Sequence, residues 1–247
     1  MKKGLVLMAA VAFVGFSVQA KTIDRGLGNP KSVYIPKGSV QFGVSGGYNT
    51  FNAGNLNGST GATFLGLVDK IQGNVSFANA SAFVSGFISN NVSLGARFSY
   101  GYTSVNLDNA AILSQINLTN KHVDVMSLTG SIACRAYIPL FDSKWFALFA
   151  EGRLNGKMGY NKNYEQYEKG KVGTYADVYS VSLGLYPGIS MFVTDNVALE
   201  ISLPLVEGGM EWNKQLTDGS KESYMNRAFA QFQPGILGLN IGISFCF

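Results

Sequence analysis

The chain has one histidine, His122, in the stretch KHVDV, with Asp124 two residues on. On an extended strand the two share a face, which is where a carboxylate would orient a general base. The nearest hydroxyl that such a base could activate, Ser127, falls on the opposite face, so the pattern reads as a rim histidine in water and no catalytic residue is assigned. One histidine and two cysteines, Cys134 and Cys246, are too few for a Cys/His zinc site, so neither metal nor cofactor is expected. The remaining groups that could do chemistry are charges placed among small residues: Arg97, Arg135, Glu151, Arg153, Lys157 and Glu200, with Asn240. Arg97, Arg135 and Glu151 fall at comparable heights on successive segments, which predicts a paired charge network.

The elements that must hold these groups are strands. Apolar residues recur at every second position: Val92, Leu94, Ala96, Phe98, Tyr100 and Tyr102 against Ser93, Gly95, Arg97, Ser99, Gly101 and Thr103. Val197, Leu199, Ile201, Leu203 and Leu205 repeat the pattern, and so do Leu237 to Phe247. Short turns, Ser89 to Asn91, Phe141 to Lys144 and Thr194 to Asn196, alternate with long polar connections. From Gly38 through Asn90, Asp142 and Asp195 to Phe247 each interval is 52 or 53 residues. Four hairpins are implied, with strands at 40–50, 75–88, 92–105, 121–140, 145–160, 174–193, 197–210 and 231–247. The long connections, near 51–74, 106–120, 161–173 and 211–230, are expected as loops, with a short amphipathic helix in TFLGLVDKI.

Composition sets which way the sheet faces. The chain is 47% hydrophobic and 14% charged, with 30 glycines. The small face is too poor in volume to fill a soluble core, and the apolar face is continuous. That favours a barrel with apolar residues on lipid and small or charged ones in the lumen. Strands of ten or more residues suit a tilted membrane crossing. Phe141, Trp145, Phe146 and Phe192 near the short turns, and Tyr100, Tyr102, Tyr160, Tyr175 and Tyr179 near the long connections, are expected as girdles. The 19 basic and 15 acidic residues are interleaved, which argues against a nucleic-acid partner.

Residues 1–20 have a basic start, an apolar run from Leu5 to Phe16 and a small-residue site at Ala20, the pattern of a cleaved secretory signal peptide. Residues 21–37 are expected as a periplasmic lead-in and 38–247 as the barrel. Cys134 falls outward and Cys246 inward on distant strands, so no disulfide is expected.

The last segment, NIGISFCF, carries Asn240, Gly242, Phe245 and Phe247. It resembles the terminal signal read by the machinery that assembles outer-membrane barrels. The chain from 38 to 247 resembles the small eight-stranded outer-membrane barrels of Gram-negative bacteria, particularly the porin-like barrels of Bacteroidota. The resemblance implies an all-β, eight-stranded antiparallel up-and-down transmembrane β-barrel with short periplasmic turns and long extracellular loops. It also implies a location in the outer membrane, contact with lipid and lipopolysaccharide, handling by the barrel assembly machinery, and no appended peptidoglycan-binding domain. Lipid A deacylases of similar build carry a Ser where this chain has Asp124, a departure that counts against the enzyme reading and leaves a lipid-modifying outer-membrane enzyme as the least favoured alternative. A structural or surface-interaction role with a plugged lumen is expected, the alternative being a narrow channel for small solutes or ions. Tyr160, Tyr164, Tyr167, Tyr175, Trp212 and Tyr224 are the loop aromatics that would meet an extracellular ligand. A monomer is expected.

Overall fold

A computed structural model describes residues 33–53, 68–112, 116–167, 170–217, 221–232 and 239–247. The proposed signal peptide, most of the lead-in and residues 54–67 of the first long connection lie outside the described residues. Among the described residues ten strands run in chain order: β1 (Val40–Ala53), β2 (Val68–Ser89), β3 (Val92–Ile112), β4 (Ile116–Pro139), β5 (Phe146–Tyr167), β6 (Gly170–Phe192), β7 (Val197–Ser202), β8 (Val206–Thr217), β9 (Lys221–Phe232) and β10 (Asn240–Cys246). Every pairing is antiparallel. Neighbours run β5-β4-β3-β2-β1-β10-β7-β6, and β6 pairs again with β5, so eight strands close a ring. β8 continues the line of β7, and β9 precedes β10, which restores the four hairpins expected from the sequence.

The alternating faces fall as the residue pattern requires. Leu94, Phe98, Ile132, Leu154 and Leu183 point out and are exposed, while Ser93, Arg97, Arg135, Glu151 and Ser182 point in and are buried. Cys134 is exposed on the outer face, Cys246 is buried on the inner one, and neither is in a disulfide.

Three expectations are corrected. Where they are described, the segments read as long loops are mostly strand: β2 to β6 reach 21 to 24 residues each, and the hairpins of β3 with β4 and β5 with β6 pair almost to their tips. A ladder continues wherever a neighbouring strand supplies hydrogen-bond partners, and polar side chains on both faces do not stop it once both faces meet water. Tyr160, Tyr164 and Tyr167 therefore stand on β5, Tyr175 on β6, Trp212 on β8 and Tyr224 on β9, not in loops. Of TFLGLVDKI, Val68 to Ile71 are strand and pair with Ile112 to Ala110, and the rest of the expected helix lies outside the described residues.

Phe192 is also corrected: it is 3% exposed and sits inside the ring, not in an outer girdle. Its parity on β6 matches inward Ser190. Alternation also fails once within a strand. Between β7 and β8, Leu203, Pro204 and Leu205 face only Tyr186 and Pro187 across the β6 ladder, because Ser202 pairs Gly188 while Val206 pairs Leu185. Pro204 has no N–H to give the ladder, and the extra residue is a β-bulge. Beyond it the facing is reversed: Met210 and Trp212 point out and Glu211 points in.

The buried aromatic core sits at the short-turn end of the ring, formed by Tyr34, Ile35, Phe87, Tyr137, Phe149 and Phe192, with Trp145 packed against it. Two of its members precede the first strand.

Candidate functional site: the lumen

Above the aromatic base, charged side chains from four strands, β3, β4, β5 and β7, meet in the bore. Glu151 on β5 is 2% exposed. It receives Arg135 Nε at 2.5 Å from β4 and lies 3.3 Å from Arg97 Nε on β3, and it pairs with Arg153 on its own strand. Arg135 also reaches across the ring, Nη1 donating to Glu200 Oε2 on β7 at 2.8 Å and to the Tyr137 hydroxyl at 2.9 Å. Glu200 Oε1 accepts from Gln41 Nε2 on β1 and from Ser244 Oγ on β10, each at 2.8 Å. The Tyr137 hydroxyl donates to Gln41 Oε1 at 3.0 Å, closing a cycle. Arg97 Nη1 donates to Ser81 at 2.8 Å and Ser45 at 3.3 Å.

Aromatic faces complete the solvation of the cations. Arg97 lies 4.5 Å from the Phe83 ring centroid, Arg135 4.4 Å from Phe149 and Arg153 3.7 Å from Tyr186. Buried charge is costly unless paired and hydrogen-bonded, and here the two carboxylates each take several donors. The space left beside Arg97, Arg135 and Glu151 is about 10 Å³, the room of one water molecule.

A polar layer continues toward the hairpin tips. Ser131 donates to Asn155 at 2.7 Å, Asn155 to Ser182 at 3.3 Å and Ser182 to Glu207 at 2.5 Å. Glu211 pairs with Arg227 on β9 at 2.9 Å. Higher still, Ser99, Gly101, Ser127, Thr129 and Gly159 line the inner wall and are half-buried.

Of the residues singled out in the sequence, Arg97, Arg135, Glu151, Arg153 and Glu200 are thus brought together. Lys157 lies on the same inner face, one inward position above Asn155 and opposite Ser180. Asn240 opens β10 opposite Ser202. Sequence reasoning missed Gln41, Tyr137, Asn155, Tyr186 and Glu207. Tyr137 was within reach, since it shares parity with Arg135. Glu207 was not, because unbroken alternation would have turned it outward, and a carboxylate on an apolar face was itself the sign of the bulge.

His122 and Asp124 do share the outer face of β4 but serve different neighbours. His122 Nδ1 is 2.6 Å from Asn106 Oδ1, and its ring stacks on Tyr164 at 5.3 Å. Asp124 Oδ1 accepts from Tyr102 and Ser104, both at 3.0 Å.

The outer face changes character toward the hairpin tips. On β4, β5, β6 and β8 the apolar or aromatic Met126, Tyr160, Tyr179 and Trp212 are each followed, at the next outward position, by Asp124, Lys162, Asp177 and Lys214. Lys214 also pairs with Glu222 at 3.2 Å across β8 and β9. The hydrogen bond from Lys214 holds the Glu222 carboxyl below its ordinary range.

At the C-terminus, Phe245 and Phe247 stack on Phe42 with centroids 5.0 and 5.7 Å away. Val40 and Phe247 exchange backbone hydrogen bonds at 2.8 and 2.9 Å. Gly242 stands opposite Ser45 and Glu200.

No protein-family model and no curated protein matches this sequence. Among solved structures, the chain is similar to the crystal structure of the outer membrane protein OprG from Pseudomonas aeruginosa. The identity is 12% and the TM-score 0.43, over 87% of this chain and 99% of that one.

Proposed function

We propose that the chain is an integral outer-membrane β-barrel whose lumen is closed by the charge lattice, and that its role is structural or one of surface interaction, without catalysis. The observation that carries this reading is the unbroken run of bonds across the bore, from Glu151 through Arg135 to Glu200 and on to Gln41 and Ser244. The outward apolar faces, ended on four strands by a ring of charge, supply the membrane band. Strands longer than the ~9–11 residues of a crossing carry the hairpins out beyond that band. There Tyr164, Tyr224 and their neighbours offer a surface to an extracellular ligand. The short turns and both chain ends then face the periplasm. Lipid and lipopolysaccharide surround the band, and the barrel acts as a monomer.

Conductance in a planar bilayer tests the closed lumen. The purified, folded protein is expected to give no steady open-channel current. A stable, ion-selective current would favour the second reading, a narrow channel, for which the half-exposed Ser and Gly wall above the lattice is the specific support.

Insertion is tested at the C-terminus. Deleting Phe247 removes the exchanged bonds with Val40 and one of two rings stacked on Phe42, at the seam where the first strand meets the last. The heat-modifiable, membrane-inserted form is expected to fall severalfold on unboiled gels of membrane fractions. Unchanged levels over a range of expression would show that NIGISFCF plays no part in assembly.

A further inference from the structure

The segment Val33–Ser39 forms no strand, yet Tyr34 and Ile35 are both fully buried in the mouth of the ring at its short-turn end. The seat is built largely by one side chain. Asn91 Oδ1 accepts the backbone N–H groups of Tyr34 at 2.9 Å and Ile35 at 3.0 Å, and the Asn91 N–H donates to the Ile35 carbonyl at 2.9 Å. Asn91 itself sits at φ 63° in the tight turn between β2 and β3. On the far side of the bore the Tyr34 hydroxyl donates to Ser190 Oγ on β6 at 2.9 Å. Its ring lies 5.0 Å from Phe192 and 5.4 Å from Tyr137. The segment therefore spans the mouth from the β2–β3 turn to β6.

Where it joins the wall, Gly38 has φ 87°, a conformation that side chains rarely adopt, and open space where a Cβ would stand. Behind the segment lie Phe87, Tyr137, Phe149, Phe192 and the buried Cys246.

We propose that Val33–Ser39 is a hinged stopper, which leaves the mouth about Gly38 while the wall of the ring stays folded, and so uncovers an aromatic chamber beneath the charge lattice. Its hold beyond Gly38 consists of bonds to Asn90, Asn91 and Ser190 and the packing of Tyr34 on Phe192 and Tyr137, while Gly38 and Ser39 bond to the Phe87 backbone at the hinge; each wall strand, by contrast, is held by two ladders. Segments with few bonds outside a ladder open locally well below the free energy of global unfolding. The vacated chamber, apolar around a rim of Asn91 and Ser190, suits an aromatic side chain next to an aliphatic one, the pair that the stopper itself supplies.

Cys246 is the reporter. In a Cys134→Ser background it is the one thiol, and a hydrophilic maleimide reaches it from the mouth when the stopper is out. The folded protein in detergent is expected to label slowly. Tyr34→Ala, and Asn91→Gly, which keeps the left-handed turn and removes the amide, are expected to label at least about tenfold faster, since each loses one hydrogen bond or more and roughly one bond makes that factor in an opening equilibrium. Ile132→Ala on the outer face is expected to label at the parent rate. All are scored on protein that runs as the folded form on unboiled gels. Where Tyr34→Ala does not fold, Tyr34→Phe, which loses only the bond to Ser190, is expected to shift the rate in the same direction. Unchanged rates in Asn91→Gly and the Tyr34 variants would overturn the stopper. So would rates that rise only in step with global unfolding, or a parent protein that labels as fast as denatured chain.

Discussion

Glu151→Ala is expected to lower the stability of the folded barrel by ~3–5 kcal/mol, the cost of breaking a buried pair. The upper end of that range is favoured, because three guanidinium groups, those of Arg97, Arg135 and Arg153, converge on this one carboxylate. Among the described residues, Arg135 keeps Glu200, at 2.8 Å, while Arg153 keeps the Tyr186 face and Arg97 keeps the serine hydroxyls and the Phe83 ring. The measurement is the midpoint temperature at which the unboiled gel form is lost. Ile132→Ala, 61% exposed on the outer face, is expected to cost far less, since lipid or detergent fills the space. Equal effects of the two variants would mean that lumen water screens the lattice so well that the pairing contributes little.

Gly95→Val is expected to abolish the folded form. Gly95 on β3 lies against β2, and a Cβ there would collide with the Val84 carbonyl oxygen and stand 2.6 Å from Ser85 Cα. Both obstacles are backbone held in the β2–β3 ladder, so no rotamer relieves them. The two strands must part, which exceeds the ~1–3 kcal/mol of ordinary overpacking. Gly86→Ala on the neighbouring strand is the matched control, because open space surrounds the added methyl. Recovery of Gly95→Val at parental levels, with parental heat-modifiability, would show that the strands at this point have room the structure does not give them.

Much of this architecture was legible in the residues. Alternation over Val92–Thr103 assigned Arg97 to the inner face. The 52- or 53-residue interval set four hairpins, and the inward parity of Arg135 and Glu151 placed them on one wall, where they are direct partners across β4 and β5. These features depend on the two-residue period of a strand and on turn residues at its ends, which are local properties. Strand length was not local. Polar residues from Asn106 onward and from Asn161 onward read as loop, but a backbone group extends a ladder if a neighbour is present, whatever its own side chain prefers. The facing of Glu207 depended on one extra residue at Pro204, which shows only against the register of β6.

The stopper was the furthest from view. Tyr34 and Ile35 are two apolar residues in a short, proline-flanked stretch with no periodicity to read. What buries them is a ring that closes only when β10 meets β1, with Asn91, Ser190 and Phe192 arriving at its mouth from 56 to 158 positions away. By itself the sequence determined which side of each regular strand faces in and how many hairpins there are, because alternation is a property of adjacent residues. The tertiary structure alone decided how far the strands run, where the alternation slips and what closes the mouth, because each of these is settled by partners that only ring closure brings together.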